Sequence, residues 1–336
     1  MSAPDTPLLT VQDLHVEYPV DGGFLKAPRK LRAVAGLSFT VREGETLGVV
    51  GESGCGKSTV GRAILGFADP AAGRVLWRGR DLKTFTRAQM QALRGEMQII
   101  FQNPLASLNP RMTVGDLVAE PLEVFRPQLT RAQRREVALD WLKRVGLPPE
   151  AAQRFPGEFS GGQAQRIAIA RAMIAEPRLL ICDEAVSALD VSIKAQIMAL
   201  LRQLQRETGV ALLFISHDLA VVRQVSHRIL VMYLGKAMEI GGREVVFATP
   251  QHPYTQALIS AAPIPDPEIE RNRTPILLAE DLPSPLDPPS GCVFRTRCPI
   301  AKPNCITAVP VLSPNRAGTE TACHYAGADL RLLAAE

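Results

Sequence analysis

The sequence predicts an α/β fold built on a buried, mostly parallel sheet, and three observations carry that prediction. Continuous apolar runs of strand length recur along the chain, helical segments separate them, and a glycine-rich loop sits between one such run and the next helix. Apolar runs without alternation belong to strands covered on both faces, as in parallel sheets with helices packed against them.

Residues 8–18 and 34–50 read as short strands joined by turns, with "PVDGGFLKAPRKLR" (19–32) as a surface loop rich in Gly, Pro and basic residues. "TLGVV" (46–50) is a buried strand, followed by glycines and then by the helical pattern "KSTVGRAILG". "MQIIF" (97–101), "RLLIC" (178–182), "VALLFIS" (210–216) and "ILVMYL" (229–234) are the further strands. Between them lie the helices "GGQAQRIAIARAMIAE", closed by Pro177, and "IKAQIMALLRQLQRET", closed by Gly209. Residues 103 to about 155 are helix-rich and punctuated by Pro104, Pro110, Pro121, Pro127, Pro148 and Pro149, which reads as a helical insertion between sheet strands. After about residue 262 the chain turns proline-dense, so residues 1–262 and 263–336 are expected to be separate domains.

The 336 residues are 46% hydrophobic and 21% charged, with a net charge of +4. A chain of this size builds a core without disulfides. Its mild basicity suits anionic nucleotides or a membrane surface, and no long Lys/Arg block marks a polybasic tail. No run reaches the roughly 18 apolar residues of a membrane helix, and the N-terminus lacks the pattern of a secretory signal. A reducing, cytosolic compartment is the expectation. There, clustered cysteines more often hold a metal than pair with one another.

"GESGCGKST" (Gly51, Glu52, Ser53, Gly54, Cys55, Gly56, Lys57, Ser58, Thr59) contains the G-x-x-x-x-G-K-[ST] pattern between a strand and a helix. Its glycines let backbone N–H groups close around phosphate oxygens, and the helix start adds its positive dipole end. Lys57 is expected at the β/γ-phosphates and Ser58 at Mg²⁺. "RLLICDE" ends a strand in Asp183 and Glu184, the first suited to Mg²⁺ and the second to orienting or deprotonating a water. "FSGGQ" places Ser160 at an N-cap before Gly161, Gly162 and Gln163, a second helix start prepared for an anion.

Taken in order, these motifs resemble those of the ATP-binding cassette (ABC) ATPases, a family of P-loop NTPases, over about residues 8–242. "FSGGQ" resembles the signature motif, Ser187, Ala188, Leu189 and Asp190 the D-loop, Gln102 the Q-loop glutamine, His217 the switch histidine, and Tyr18 the aromatic that stacks on adenine. The resemblance implies an antiparallel β subdomain beside the core sheet. It also implies two cassettes enclosing two ATP molecules, so that Ser160, Gly161, Gly162 and Gln163 meet the γ-phosphate held by the partner's P-loop. Ser58, Gln102 and Asp183 would serve Mg²⁺, Glu184 the lytic water, and His217 the γ-phosphate. Ala185, Val186 and Phe159 depart from the residues common in the family at those positions.

"FQNPLASLNPRMTV", "VMYLGKAMEIG" and "HPYTQALISAAPIPDP" resemble the ATPase subunits of oligopeptide, dipeptide and nickel importers. The implied function is ATP-driven import of peptides, with nickel as the alternative solute. The implied partners are a second cassette, two membrane permeases received by the helical segment, and indirectly an extracytoplasmic peptide-binding protein. The cytoplasmic face of the cell membrane is the implied location. A nucleic-acid ABC ATPase is the rival class. A single cassette, no long coiled coil and no basic aromatic patch speak against it.

Cys292, Cys298, Cys305 and Cys323 are spaced C-x5-C, C-x6-C and C-x17-C. That spacing fits zinc fingers poorly and ferredoxin runs not at all, while four thiolates suit Zn²⁺ or a [4Fe–4S] cluster by softness. The resemblance to the importer ATPases implies a [4Fe–4S] cluster on these four residues. With little apolar content in the tail, such a centre is expected to supply its folding free energy.

Overall fold

The computed structural model describes residues 6–20, 29–262 and 281–330, with the single positions 268, 271, 276 and 278. The boundary expected at 262/263 and the proline-dense run "PIPDPEIE" fall outside the described residues, as does most of the loop expected at 19–32.

The strands in chain order are β1 (Leu9–Val20), β2 (Arg29–Val41), β3 (Thr46–Val50), β4 (Ala72–Trp77), β5 (Arg80–Asp81), β6 (Met97–Ile100), β7 (Leu179–Asp183), β8 (Ala211–Ser216), β9 (Arg228–Tyr233), β10 (Lys236–Gly242), β11 (Ser313–Pro314) and β12 (Glu320–Thr321). The helices are α1 (Lys57–Ile64), α2 (Arg87–Glu96), α3 (Pro104–Ser107), α4 (Val114–Phe125), α5 (Arg131–Arg144), α6 (Gly161–Met173), α7 (Val191–Thr208), α8 (Leu219–Val225), α9 (Arg243–Ala248), α10 (Pro253–Ala261) and α11 (Asn304–Thr307). Every apolar run read as a strand is one. Residues 29–32, read as loop, instead open β2, where backbone pairing overrides their polar composition.

The chain divides into two compact units. The first holds residues up to 9, 41–46 and 76–215. Its parallel strands β6, β7 and β8 run in register, with Ile100 opposite Cys182 and Asp183 opposite Ile215. All five residues of β7 and all six of β8 are buried. α4 packs on α5 and α6, and Arg171 on α6 reaches Glu120 on α4 at 2.6 Å. Pro121, expected to punctuate this segment, lies inside α4. Burial of Val114, Leu117, Val118 and Leu122 on one face carries that helix through the hydrogen bond the proline removes. α7 ends as expected at Gly209, which takes the left-handed conformation (φ 70°) and donates its N–H to Gln205.

The second unit holds residues 10–40, 47–75 and 216 onwards. There β3 and β9 are parallel, β9 and β10 antiparallel, and β12 pairs antiparallel with β10. The cysteine-bearing tail therefore extends the sheet edge. It also buries more than its composition promised: Phe294 is fully buried against Tyr233 and Tyr254, with ring centroids 5.3 Å from each. Thr319 of the tail donates to the buried Glu239 carboxylate at 3.2 Å, and the backbone N–H groups of Gln251 and His252 donate to it at 3.0 Å.

His252, the N-cap of α10, accepts the Tyr254 N–H on Nδ1 at 3.0 Å. Its burial pushes its pKa down from 6.5 to about 3. The folded chain therefore refuses a proton that the unfolded chain accepts, so stability is full above about pH 6.5 and falls as pH drops toward 3. The loss from this residue is about 1.4 kcal/mol per pH unit within that window. His252→Asn keeps a capping oxygen and removes the titration. Its unfolding midpoint should fall less between pH 7 and pH 5 than that of the unaltered chain, as followed by thermal denaturation.

Candidate functional site

In the second unit, the phosphate cradle is a strip of backbone shaped by its neighbours. Gly56, the N-cap of α1, has φ 102° and offers no side-chain cap, so the first N–H groups of the helix are not claimed by a capping side chain. A Cβ on Gly56 would lie 2.0 Å from the Ala33 carbonyl oxygen, and one on Gly51 would lie 2.2 Å from that of Met232. The tight turn between β9 and β10, with Leu234 and Gly235 both at positive φ, presses on the same loop. Gly235 donates to the Cys55 carbonyl at 2.9 Å, and Ala35 donates to the Gly235 carbonyl at 2.9 Å.

Lys57 is buried, and its Nζ donates to the carbonyls of Gly51 and Glu52, each at 2.8 Å. The ammonium is thus folded over its own loop. Cys55 is buried behind it, and burial pushes its thiol pKa up. It is a structural thiol, inert as a nucleophile. Ser53 and Gly54 lie exposed at the tip, and Ser58 and Thr59 are half-buried in the first turn of α1.

Glu52 is the most heavily anchored residue of the loop. Its N–H donates to the Tyr254 hydroxyl at 3.0 Å, and both its carboxylate oxygens accept from Arg297 Nη1 at 2.9 Å. Sequence reasoning missed Arg297 and Tyr254. Arg297 stands between Cys292 and Cys298 in "CVFRTRCP", and nothing local to that stretch announces a partner 245 residues earlier. Tyr18 is half-buried on β1, on the same side as the buried Leu14 and Val16. His217 is exposed directly after β8, ahead of Asp218, which caps α8.

In the first unit, Asp183 is buried at the end of β7. Glu184 follows at φ 48°, a left-handed position uncommon outside glycine, and its N–H donates to Ile215 at 3.0 Å. That held strain turns the carboxylate out of the strand. Gln102 Nε2 donates to Glu184 Oε2 at 3.0 Å, which brings the Gln102 amide to the acidic pair. Ala185 and Val186 are buried, which suits apolar residues there. The turn from Ser187 through Ala188 and Leu189 to Asp190 leads into α7, with Ser187 Oγ donating to the Glu184 carbonyl at 2.9 Å.

Ser160 and Gln163 form a capping box at the start of α6, with Ser160 N–H to Gln163 Oε1 at 3.0 Å. Gly161 is exposed. Gly162 admits Ile193 of α7, since a Cβ there would lie 2.5 Å from its methyl group. An exposed glycine beside an N-cap leaves backbone open to an incoming anion.

The four tail cysteines share one neighbourhood. Cys292 donates its N–H to the Cys305 carbonyl at 2.8 Å. Burial raises Cys292, Cys298 and Cys323, the last two to about 12 and about 11, and the charges of the neighbouring cysteines add to each rise. All are unpaired as disulfides. Among the described residues, however, no three His, Cys, Asp or Glu side chains are arranged to hold a metal ion. The donor chemistry expected for a cluster or zinc is present, and an assembled ligand set is not.

The chain matches the family described as "ABC transporter" over residues 34–187, and "Oligopeptide/dipeptide transporter, C-terminal region" over residues 238–305. It is 56% identical over 308 residues to the oligopeptide transport ATP-binding protein OppF of Escherichia coli (strain K12), covering 91% of this chain and 92% of that protein. It is 52% identical over 319 residues to OppF of Haemophilus influenzae, covering 94% and 96%. Among solved structures it is similar to the dimeric, post-hydrolysis ATP-binding cassette MJ0796 bound to ADP and Pi, at 27% identity and TM-score 0.63, over 70% of this chain and 98% of that one. It is also similar to cbiO1 from Clostridium perfringens, part of the ABC transporter complex cbiONQ, at 27% identity and TM-score 0.62, over 73% and 92%.

Gly56→Ala tests the cradle's backbone. The left-handed φ and the Ala33 carbonyl both oppose a Cβ, so the variant should lose more than about 2 kcal/mol of stability by urea denaturation, and nucleotide binding with it.

Proposed function

This chain belongs to the ABC transporter family, in its oligopeptide/dipeptide branch, and from that premise we propose how its residues work. It is the ATP-hydrolysing subunit that powers import of peptides across the membrane. The observation that best supports a nucleotide site is the buried Lys57 lying over a glycine cradle at a helix start without a side-chain cap. On binding, Lys57 exchanges the carbonyls of Gly51 and Glu52 for β/γ-phosphate oxygens. The N–H groups of the loop from Gly51 to Thr59 surround the phosphates, and Tyr18 stacks on the adenine. Ser58, Gln102 and Asp183 would hold Mg²⁺, which supplies charge neutralisation at the phosphates.

Glu184 takes the proton of the attacking water, held in orientation by the Gln102 amide, and His217 steadies the γ-phosphate. Ser160, Gly161, Gly162 and Gln163 close on the nucleotide of a second cassette, with Ser187 to Asp190 beside them. The Ser160–Gln163 capping box pre-shapes that surface. Closure pulls on two permeases through the helical segment 103–155, on the cytoplasmic face of the membrane, and an extracytoplasmic peptide-binding protein delivers the solute. Among the described residues, no helix is long and apolar enough to cross a membrane, which accords with a peripheral subunit. The cassette runs to about residue 262, and the extension follows.

We further propose that Cys292, Cys298, Cys305 and Cys323 hold a [4Fe–4S] cluster, with zinc as the alternative. What supports this is four cysteines in one neighbourhood, three of which (Cys292, Cys298 and Cys323) are held by burial as neutral thiols, so that a bound cation would offset the cost of thiolate charge there. No step of hydrolysis passes through it.

Glu184→Gln should retain MgATP binding and cassette dimerisation while phosphate release falls at least ~100-fold. Unchanged turnover refutes the assignment. The anaerobically purified chain should contain iron and acid-labile sulfide with broad visible absorption. A colourless chain carrying stoichiometric zinc overturns the cluster.

A further inference from the structure

Glu52 puts a carboxylate into a loop whose task, in the reading above, is to bind a polyphosphate. An unscreened carboxylate there repels the ligand. Arg297 answers that charge. One of its terminal nitrogens sits 2.9 Å from both carboxylate oxygens, and the pair is largely out of water, with the arginine side chain 11% exposed and the glutamate 27%. The contact is built in from both ends. The Arg297 backbone N–H donates to Phe294 at 3.0 Å, and Phe294 is locked among Tyr233, Tyr254 and His252. Tyr254 in turn takes the Glu52 N–H, and the Glu52 carbonyl takes Lys57 Nζ. A single residue of the cradle is thus held by its N–H, its carbonyl and its side chain.

We propose that Arg297 is a positioning residue of the nucleotide site: by neutralising and fixing Glu52, the cysteine-bearing tail sets the affinity of the cradle for ATP. Arg297 lies next to Cys298 and five residues after Cys292, so the segment that bears the thiols also supplies the counter-charge of the cradle. The inference rests on the P-loop binding ATP, and its test separates the two.

The test is equilibrium MgATP binding to the purified full-length chain, for the unaltered protein, Arg297→Met, Arg297→Lys, and Arg297→Met combined with Glu52→Gln. Absence of binding by the unaltered chain sinks the P-loop reading. Given binding, Arg297→Met should weaken it at least ~10-fold, because a buried anion is left facing the phosphates. Removing that anion as well, in the Glu52→Gln pair, should recover most of the loss. A merely structural defect would deepen. Arg297→Lys, which keeps the charge and loses the guanidinium that lies over the Tyr233 ring and fixes the contact, should fall between. Arg297→Met binding as tightly as the unaltered chain, or a double variant as weak as Arg297→Met, overturns the proposal. If Arg297→Met does not fold, the lysine variant decides, and unaltered affinity there overturns it.

Discussion

Three glycines in eight residues leave the loop from Gly51 to Ser58 with little side chain of its own to define its shape, so its geometry is imposed from outside. Backbone does most of this. The Ala33 carbonyl stands where a Cβ of Gly56 would be, and the Met232 carbonyl where one of Gly51 would be. The turn at Leu234 and Gly235 hydrogen-bonds to Cys55 from the far side. Glycine loses more conformational entropy on ordering than any other residue, and each of these contacts offsets part of that cost before a ligand arrives. A cradle ordered in advance spends less of its binding free energy on arranging itself. The part-buried Arg297–Glu52 pair belongs to the same logic. Such pairs add little net stability, because desolvation consumes the Coulomb gain, but breaking one partner is costly. The pair therefore specifies a geometry more than it strengthens a fold.

The first unit solves a related problem with strain and short-range capping. Glu184 must leave the end of a buried strand and present its carboxylate, and it does so by accepting a left-handed backbone secured by Ile215. Gln102 then holds the carboxylate at 3.0 Å. On α6, the side chains that would otherwise stray are folded onto each other: Ser160 and Gln163 satisfy each other's backbone N–H groups. What remains presented is the exposed edge of Gly161. Both helix starts, α1 and α6, thus offer backbone in place of side chain where an anion is expected, one by glycine geometry and the other by a capping box.

What the sequence revealed and what it hid follow from the range of the interactions. β7 and β8 were legible because burial on both faces keeps them apolar up to their last residues, Asp183 and Ser216. The cradle, the acidic pair and the α6 start were legible because their chemistry lies within a few consecutive residues. Pro121 misled, since packing of α4 outweighs a local breaker, and residues 29–32 misled because strand pairing outweighs composition. Arg297 and Tyr254 were invisible. Their roles are defined by Glu52, from which they are separated by 245 and 202 residues, and only the folded chain brings such groups together.

The tail is anchored by more than its composition announces. A proline-dense extension with few apolar residues was expected to depend on an inorganic centre. One aromatic, Phe294, also enters a cluster with Tyr233, Tyr254 and His252, and β12 adds to the sheet edge at Glu239 and Ile240. Burial of one Phe side chain stabilises by about 1.5–3 kcal/mol, and Thr319 satisfies a carboxylate that would be costly to bury alone. Protein contacts of its own therefore contribute to docking the tail. The raised pKa values of Cys292, Cys298 and Cys323 mean that the segment resists carrying thiolate charge by itself. The tail is thus placed to influence the motor through a single charged side chain without taking part in its chemistry.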